Sequence, residues 1–253
     1  MNEIPDDWPL APWSVPGVLC GTTTRRGGRS GPPWQGFNTA LHTGDDPDAV
    51  AANRARLAER IGARSLQFLD QIHGVQVHHL RSFAAEVPQA DAVWTEVPGV
   101  ALVIQTADCV PVMVTSLSGS IIGAAHAGWR GVASGVVPAL LDAIPVDSTE
   151  LCAWIGPAIS GRVYEVGDDV RMEMARTIPA AVVAGAFVAG RSQGKWWLDL
   201  ARIVRCQLES AGVGRAMITD SGLCTWSDPE RFYSFRRDGQ TGRLASFIVL
   251  KTS

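Results

Sequence analysis

Charged residues are scarce in this chain of 253 residues: Asp, Glu, Lys and Arg make up 19% and balance to a formal net charge of −3. With no positive excess there is no basic surface for a nucleic-acid backbone, and no nucleic-acid partner is expected. Long apolar runs are missing too. No stretch reaches the roughly 18 apolar residues of a membrane helix, so no membrane partner is expected. The N-terminal MNEIPDDWPL places acids where an export signal needs a basic start and an apolar run. Neither G-x-G-x-x-G between strand and helix nor G-x-x-x-x-G-K occurs, so dinucleotide and Walker-type nucleotide binding have no motif. Cysteine is sparse: of five, Cys20, Cys152 and Cys206 sit in apolar contexts without paired spacing. A reduced, cytoplasmic protein is the expectation. Apolar residues are plentiful, at 46%, enough to bury a full core in one globular domain over residues 1–253.

The chemically richest stretch runs from Val103 to Gly131, VIQTADCVPVMVTSLSGSIIGAAHAGWRG. Its first half reads as a buried strand, rich in β-branched residues, with a local interruption at Ala107-Asp108-Cys109. A Ser-Gly turn leads to a second strand that ends on His126 and breaks at Gly128. Strands joined by so short a turn tend to lie side by side, which predicts that Cys109 and His126 are close in space. A thiolate and an imidazole so placed are either a nucleophile with its base or two ligands of a soft divalent metal. His73, in the strand-turn-strand pattern LQFLDQIHGVQVHHL, is a third candidate ligand. Two His and one Cys from separate segments make a catalytic-type zinc set with a fourth position left to water. On residue type alone, each is more often an ordinary core residue than a functional one. Neighbouring His78 and His79 face opposite sides of their strand and read as ordinary strand residues.

TADC, HAGWRG and QIHG, in this arrangement, resemble the family variously called multicopper polyphenol oxidases, laccase-domain or YfiH-like proteins. The same family is named as peptidoglycan editing factors and as purine nucleoside phosphorylases. The resemblance covers nearly the whole chain, from TTTRRGGRSGPPWQGFNTALHTGDDPDAVAANR through WIGPAISGRVYEVGDDV to RFYSFRRDGQTGR. It implies zinc bound by His73, Cys109 and His126, and a single-domain, mixed-sheet α/β layered fold of the cytotoxic necrotising factor-like type. It also raises Arg25, Ser30, Asn38 and Asp91 as substrate-pocket residues, with Asp91 alternatively supporting the ligands from behind. Arg237, in Ser234-Phe235-Arg236-Arg237-Asp238-Gly239, matches the family's serine-x-x-arginine-aspartate-glycine run and is implied to contact substrate. Arg29 departs from the family, where that position is usually apolar.

The remaining segments supply the frame. The Gly-rich loop with Arg25, Arg26 and Arg29 is able to wrap an anion, but its composition alone favours a solvated turn. Asp46 and Pro47 predict the start of a helix through Ile61, with Gly62 as its stop and Val50, Leu57 and Ile61 as its apolar face; Asn53 and Arg54 read as structural. VASGVVPALLDAI reads as an apolar helix with Pro138 near its middle or marking a break. Gly128 and Gly131 either admit a ligand or merely turn the chain. Further helices are predicted near Asp168 and after Asp199, the latter carrying Leu200, Ile203, Val204, Leu208 and Ala211 at helical spacing before Gly212. FYSFRRDGQTGRLASFIVL reads as a pair of strands around Asp238-Gly239. Strands alternating with three or so helices, with hairpin-like pairs, give a mixed α/β layered fold.

Three functional readings follow. The resemblance implies a zinc enzyme that phosphorolyses adenosine, inosine, guanosine or methylthioadenosine, with phosphate as co-substrate, and deaminates adenosine; a monomer or weak homodimer suffices for it. Asp108, beside a ligand, is a candidate acid/base or orienting group. The second reading is a copper phenol oxidase. Five histidines cannot furnish the usual four-copper set, though a single His-Cys-His copper with a weak Met ligand is chemically feasible, and Met113 is the candidate. The third is a hydrolase editing peptidoglycan precursors, with Cys109 as nucleophile and His126 as base. Zinc that only holds strands together is the non-enzymatic alternative. Cys224 lies outside the implied metal set.

Overall fold

The computed structural model describes residues 3–83 and 87–252; Met1 and Asn2 of the acidic N-terminal stretch lie outside the described residues. The chain begins with β1 (Val18–Thr22), α1 (Pro47–Ile61), β2 (Ser65–Gln67), β3 (Val77–Leu80), β4 (Ala92–Thr95), β5 (Val100–Thr106), β6 (Val110–Ser116) and β7 (Ile122–Ala127). It continues with α2 (Trp129–Ser134), α3 (Val136–Ala143), β8 (Leu151–Ile155), β9 (Glu165–Gly167), α4 (Asp168–Thr177) and α5 (Ala180–Ala186). Last come β10 (Phe187–Ala189), β11 (Lys195–Leu198), α6 (Leu200–Ser210), β12 (Ile218–Asp220), α7 (Phe235–Asp238) and β13 (Leu244–Leu250).

Two mixed sheets lie face to face, one ordered β1-β13-β5-β2 and the other β12-β8-β6-β7-β4-β3. Period-two alternation assigns each strand's side chains to a layer. From β5, Leu102 and Ile104 meet Met113, Ile122, Trp154 and Ile248 between the sheets. Ala101 and Val103 of the same strand turn the other way, onto Leu57 and Ile61 of α1. The far face of the six-stranded sheet, with Val112, Val114 and Ala125, is covered by Val136 and Leu140 of α3 and by Ile203 and Leu208 of α6. The result is helix, sheet, sheet, helix. Because both faces of β5 and β6 are covered, these strands read as continuous apolar runs.

Local signals fix several elements as expected. Asp46 accepts a hydrogen bond from the Asp48 N–H at the start of α1, Pro47 takes the first turn, and Gly62, at φ 68°, closes the helix. Strands β6 and β7 pair antiparallel with Pro111 opposite His126. His79 stacks on Trp94 as a strand side chain, with ring centroids 3.6 Å apart. Asn53 is a buried hub: its amide donates to Ser30 Oγ and to the Gly36 and Asn38 carbonyls.

Other expectations are corrected. The run around Ala107-Asp108-Cys109 is no interruption within one strand; there the chain leaves one sheet for the other, β5 and β6 having no shared ladder. The segment after His126 forms two helices that break at Gly135, φ 92°, while Pro138 sits in the first turn of α3, where its missing N–H is harmless. The closing segment holds one strand, β13, preceded by the short helix α7. Ser234 caps α7 by accepting the Arg237 N–H, and Asp108 accepts that of Arg236. Seven α-helices occur among the described residues, and the additional sheet β10-β11-β9 was not foreseen.

Candidate metal centre

Each of the three candidate ligands reaches the centre from a different kind of position. Cys109 ends the crossover between the sheets, just ahead of β6; His126 is on β7; His73 is in the loop between β2 and β3. One donor atom of each lies within 4.8 Å of the other two, and the rings of His73 and His126 stand 4.7 Å apart at 64°. Donors around one tetrahedral zinc stand roughly 3.5 Å apart, so small side-chain movements close the set. His126 is buried, Cys109 half-buried and His73 exposed, so the centre opens to solvent on the His73 side.

The backbone is bent to make this meeting possible. His73 adopts φ 61° and Asp108 φ 93°, left-handed values that side-chain-bearing residues seldom hold without support. The support is visible in both cases. Asp91, fully buried, accepts the backbone N–H groups of Ile72, His73 and Gly74 at 3.1, 2.9 and 2.6 Å. Asp108 accepts from the Thr225 and Ser234 hydroxyls and the Arg236 N–H, while its carbonyl accepts the Ile159 N–H. Gly128 completes the nest: a Cβ there would fall 2.6 Å from His73 Nδ1 and 3.2 Å from Cys109 Sγ.

Electrostatics follow from these contacts. Burial opposes charge on His126, but the Cys109 sulfur and the Asp91 carboxylate outweigh it and push its pKa up to about 9. Burial and the His126 charge push His73 down, against the pull of Asp91. Asp91 is held below the usual carboxylate range: burial acts upward, but the hydrogen bonds from His126, Gly74 and His73 win. Deprotonated for binding, a thiolate and two neutral imidazoles suit zinc, and Asp91 on His126 Nδ1 orients that ring for its remaining nitrogen to ligate. The donor set fits zinc.

Several cations surround the centre that no local pattern singled out. The Arg130 charge is felt by His73, and that of Arg243 by His42, which in turn senses His126. Burial, and then the Cys109 charge, push Tyr164 up to about 12, and the Arg236 guanidinium lies 4.9 Å from the Tyr164 ring. Arg130 belongs to the HAGWRG run, the one sequence signal that could have marked it. Arg236, Arg243 and the imidazole of His42 lie in the longer stretches that carry the resemblance, where nothing sets them apart from their neighbours.

The other expected pocket residues are placed differently. Arg237 gives all five guanidinium N–H groups to the Asp238 carboxylate and the carbonyls of Thr225, Trp226 and Phe232; it clamps a loop, and Arg236 is its exposed neighbour. Asn38 is buried, bonding Asp45, Thr43 and the Ala40 backbone. Arg25 and Ser30 line a separate depression with Arg26, Gln35, Pro229 and Glu230. Asp91 has no exposed surface and stands behind the ligands. Met113 is packed between the sheets with Leu102, Ile122 and Trp154. Cys224 accepts from the Ser160 N–H and the Ser227 hydroxyl and stays outside the set.

This architecture is shared with known proteins. The family described as multi-copper polyphenol oxidoreductase laccase matches residues 19–251. A Pseudomonas aeruginosa protein named purine nucleoside phosphorylase is 43% identical over 245 residues, spanning 96% of this chain and 98% of that one. The purine nucleoside phosphorylase YfiH of Escherichia coli is 38% identical over 242 residues, spanning 94% and 96%. Among solved structures, a Neisseria meningitidis protein superposes with a TM-score of 0.90 at 37% identity over 98% of this chain and all of that one. YlmD from Geobacillus stearothermophilus gives 0.88 at 34% identity, over 96% and 94%. The chain belongs to this laccase-domain, YfiH-like family.

Proposed function

We propose that the protein is a zinc-dependent purine nucleoside phosphorylase, cleaving adenosine, inosine, guanosine or methylthioadenosine with inorganic phosphate, and that it also deaminates adenosine. The observation that carries this reading is the convergence of His73, Cys109 and His126, open to solvent on the His73 side, with the charges of Arg130 and Arg243 acting on His73 and Cys109 and Arg236 beside Tyr164. The names of the Pseudomonas and Escherichia relatives support it. Bound zinc would supply a positive charge able to polarise a leaving purine or an attacking water.

The chain's own groups do the rest. Guanidinium forks suit a phosphate dianion and would align one of its oxygens with ribose C1′. As that oxygen bonds to C1′, the C1′–N9 bond breaks and its electron pair leaves with the base, which takes up the proton that hydrogen phosphate gives up; ribose 1-phosphate remains. Asp91 keeps His126 in one orientation, and Asp108 ties Cys109 to the loop carrying Thr225 and to α7 through the Arg236 N–H. The chain is expected to work in the cytoplasm as a monomer or weak homodimer. The test is phosphate-dependent release of hypoxanthine from inosine, with ribose 1-phosphate in equal amount; release that ignores phosphate would overturn the reading.

One observation favours a second reading. His126 hydrogen-bonds Asp91 and has the Cys109 sulfur within 4.8 Å of a ring nitrogen, the order of a Cys-His-Asp hydrolytic triad, so a metal-free hydrolase acting on a peptidoglycan precursor is the alternative. Hydrolysis undiminished by chelators would select it. The copper oxidase reading is weaker: the one His/Cys/Asp/Glu group among the described residues able to hold a metal has three members, and Met113 is packed into the core.

A further inference from the structure

A second concave site lies outside the metal centre. Its cavity of about 420 Å³ is lined by the Gly156–Arg162 loop, the β12 end with Asp220 and Leu223, and Gly185, Trp197, Asp199 and Arg202. Its volume falls within the range of about 300–1,000 Å³ typical of small-molecule sites. None of His73, Cys109 and His126 lines it, though the loop is shared, since the Ile159 N–H holds the Asp108 carbonyl.

The charges in this cavity are unevenly matched. Asp220 is held by the Gly222 N–H and pairs with Arg205, and Asp199 Oδ1 accepts the Arg202 backbone N–H as the cap of α6. Arg162 and Arg202 are both exposed at the cavity mouth, and among the described residues their guanidinium groups have neither hydrogen-bond nor ion-pair partners. Arg202 is laid against the cavity wall: a Cβ on Gly185 would sit 2.8 Å from its Nη2. Gly161 is equally tight against Asp199, where a Cβ would meet the Asp199 Cβ at 2.8 Å. The apolar part of the lining includes Trp197, Leu223 and Ile159, and one face of the Trp197 ring has the Arg191 guanidinium 5.9 Å from its centroid.

Two unmatched guanidinium groups, a carboxylate with a free oxygen and an indole in one cavity complement three parts of one ligand class. The guanidinium groups suit a phosphomonoester dianion, the second oxygen of Asp199 a ribose hydroxyl, and the Trp197 ring a purine face. We propose that this cavity is a binding site for a nucleoside monophosphate, separate from the metal centre and binding without turnover. It is independent of which reaction the metal centre performs.

The test is calorimetric titration of the full chain with AMP, ribose 5-phosphate and adenosine, for wild type, Arg162→Ala/Arg202→Ala, Arg162→Lys/Arg202→Lys and Trp197→Ala. Saturable AMP binding is expected in the wild type. Its Kd should rise about tenfold or more in the double alanine variant, as loss of charge-assisted hydrogen bonds predicts, and much less in the double lysine variant. Metal content and circular dichroism should stay unchanged in both. Trp197→Ala should weaken AMP while leaving ribose 5-phosphate nearly unaffected. Absence of saturable AMP binding, or AMP binding that survives in the double alanine variant, overturns the site. Ribose 5-phosphate binding as tightly as AMP, with Trp197→Ala inert, overturns the nucleotide assignment.

Discussion

His126 Nδ1 stands 2.8 Å from Asp91 Oδ1, and the same carboxylate accepts the N–H of His73 at 2.9 Å. One buried aspartate thus fixes the ring of one candidate ligand and the backbone of another. Asp91→Asn preserves volume but puts a donor where an acceptor is needed. Metal affinity, measured by chelator competition, should fall about 10- to 100-fold. An unchanged affinity would show that Asp91 serves only packing.

Gly128 gives a second handle on the same nest. Its φ of −70° suits alanine, so Gly128→Ala introduces no backbone strain, only a methyl 2.6 Å from His73 Nδ1. Metal content should drop sharply while the melting temperature changes by a few degrees at most. Full metal occupancy in the variant would mean that His73 has room to retreat and is not held where the structure has it.

Asp108 accepts three hydrogen bonds, from Thr225, Ser234 and Arg236, which leaves it a positioning role instead of a proton-transfer one. Asp108→Asn should lower kcat while leaving the shape of the pH profile intact. Loss of one limb of that profile would instead make Asp108 an acid or base.

How much of this was legible in the sequence differs by residue. Helix α1 announces itself because its cap, proline and stop lie within its own few residues, and the β6–β7 pair because its turn is short. Helix α7 does not, because the group holding the Arg236 N–H is Asp108, 128 positions away, while FYSF read locally favours a strand. The role of Asp91 was half visible in the resemblance, which implied a place in the pocket or behind the ligands, but its partners at 72–74 and 126 meet only when β4 pairs with β7. Arg243 comes near Cys109 because β13 inserts beside β5, a topology that no local pattern encodes. Arg237 shows the opposite case: the motif marks an arginine as special without saying that its five donors go to the Asp238 carboxylate and three loop carbonyls.

Proton linkage supplies a pH prediction. In metal-free protein His126 titrates near 9, against about 6.5 when unfolded. The folded state therefore holds the proton more tightly, and this contribution to stability is fully present below about pH 6.5 and lost as pH rises through about 9. Metal-free protein should lose thermal stability across that window, and His126→Gln should flatten the slope. Metal binding at pH 7.5 should release a proton from His126, read by calorimetry in buffers of different ionisation enthalpy. No buffer dependence would contradict the His126 assignment.

Core packing should be separable from the site. Leu102→Ala, between the sheets and remote from the ligands, should cost about 2–5 kcal/mol of stability. Metal stoichiometry of the folded fraction should be unaffected.

The most direct measurement of the central claim is elemental analysis of protein purified without added metal, run beside phosphate-dependent base release from adenosine and inosine, for wild type and Cys109→Ala. The account predicts about one zinc per wild-type chain, with metal and phosphorolysis both lost in the variant. Metal-free wild type with a reactive Cys109 thiol, or stoichiometric copper, would contradict it.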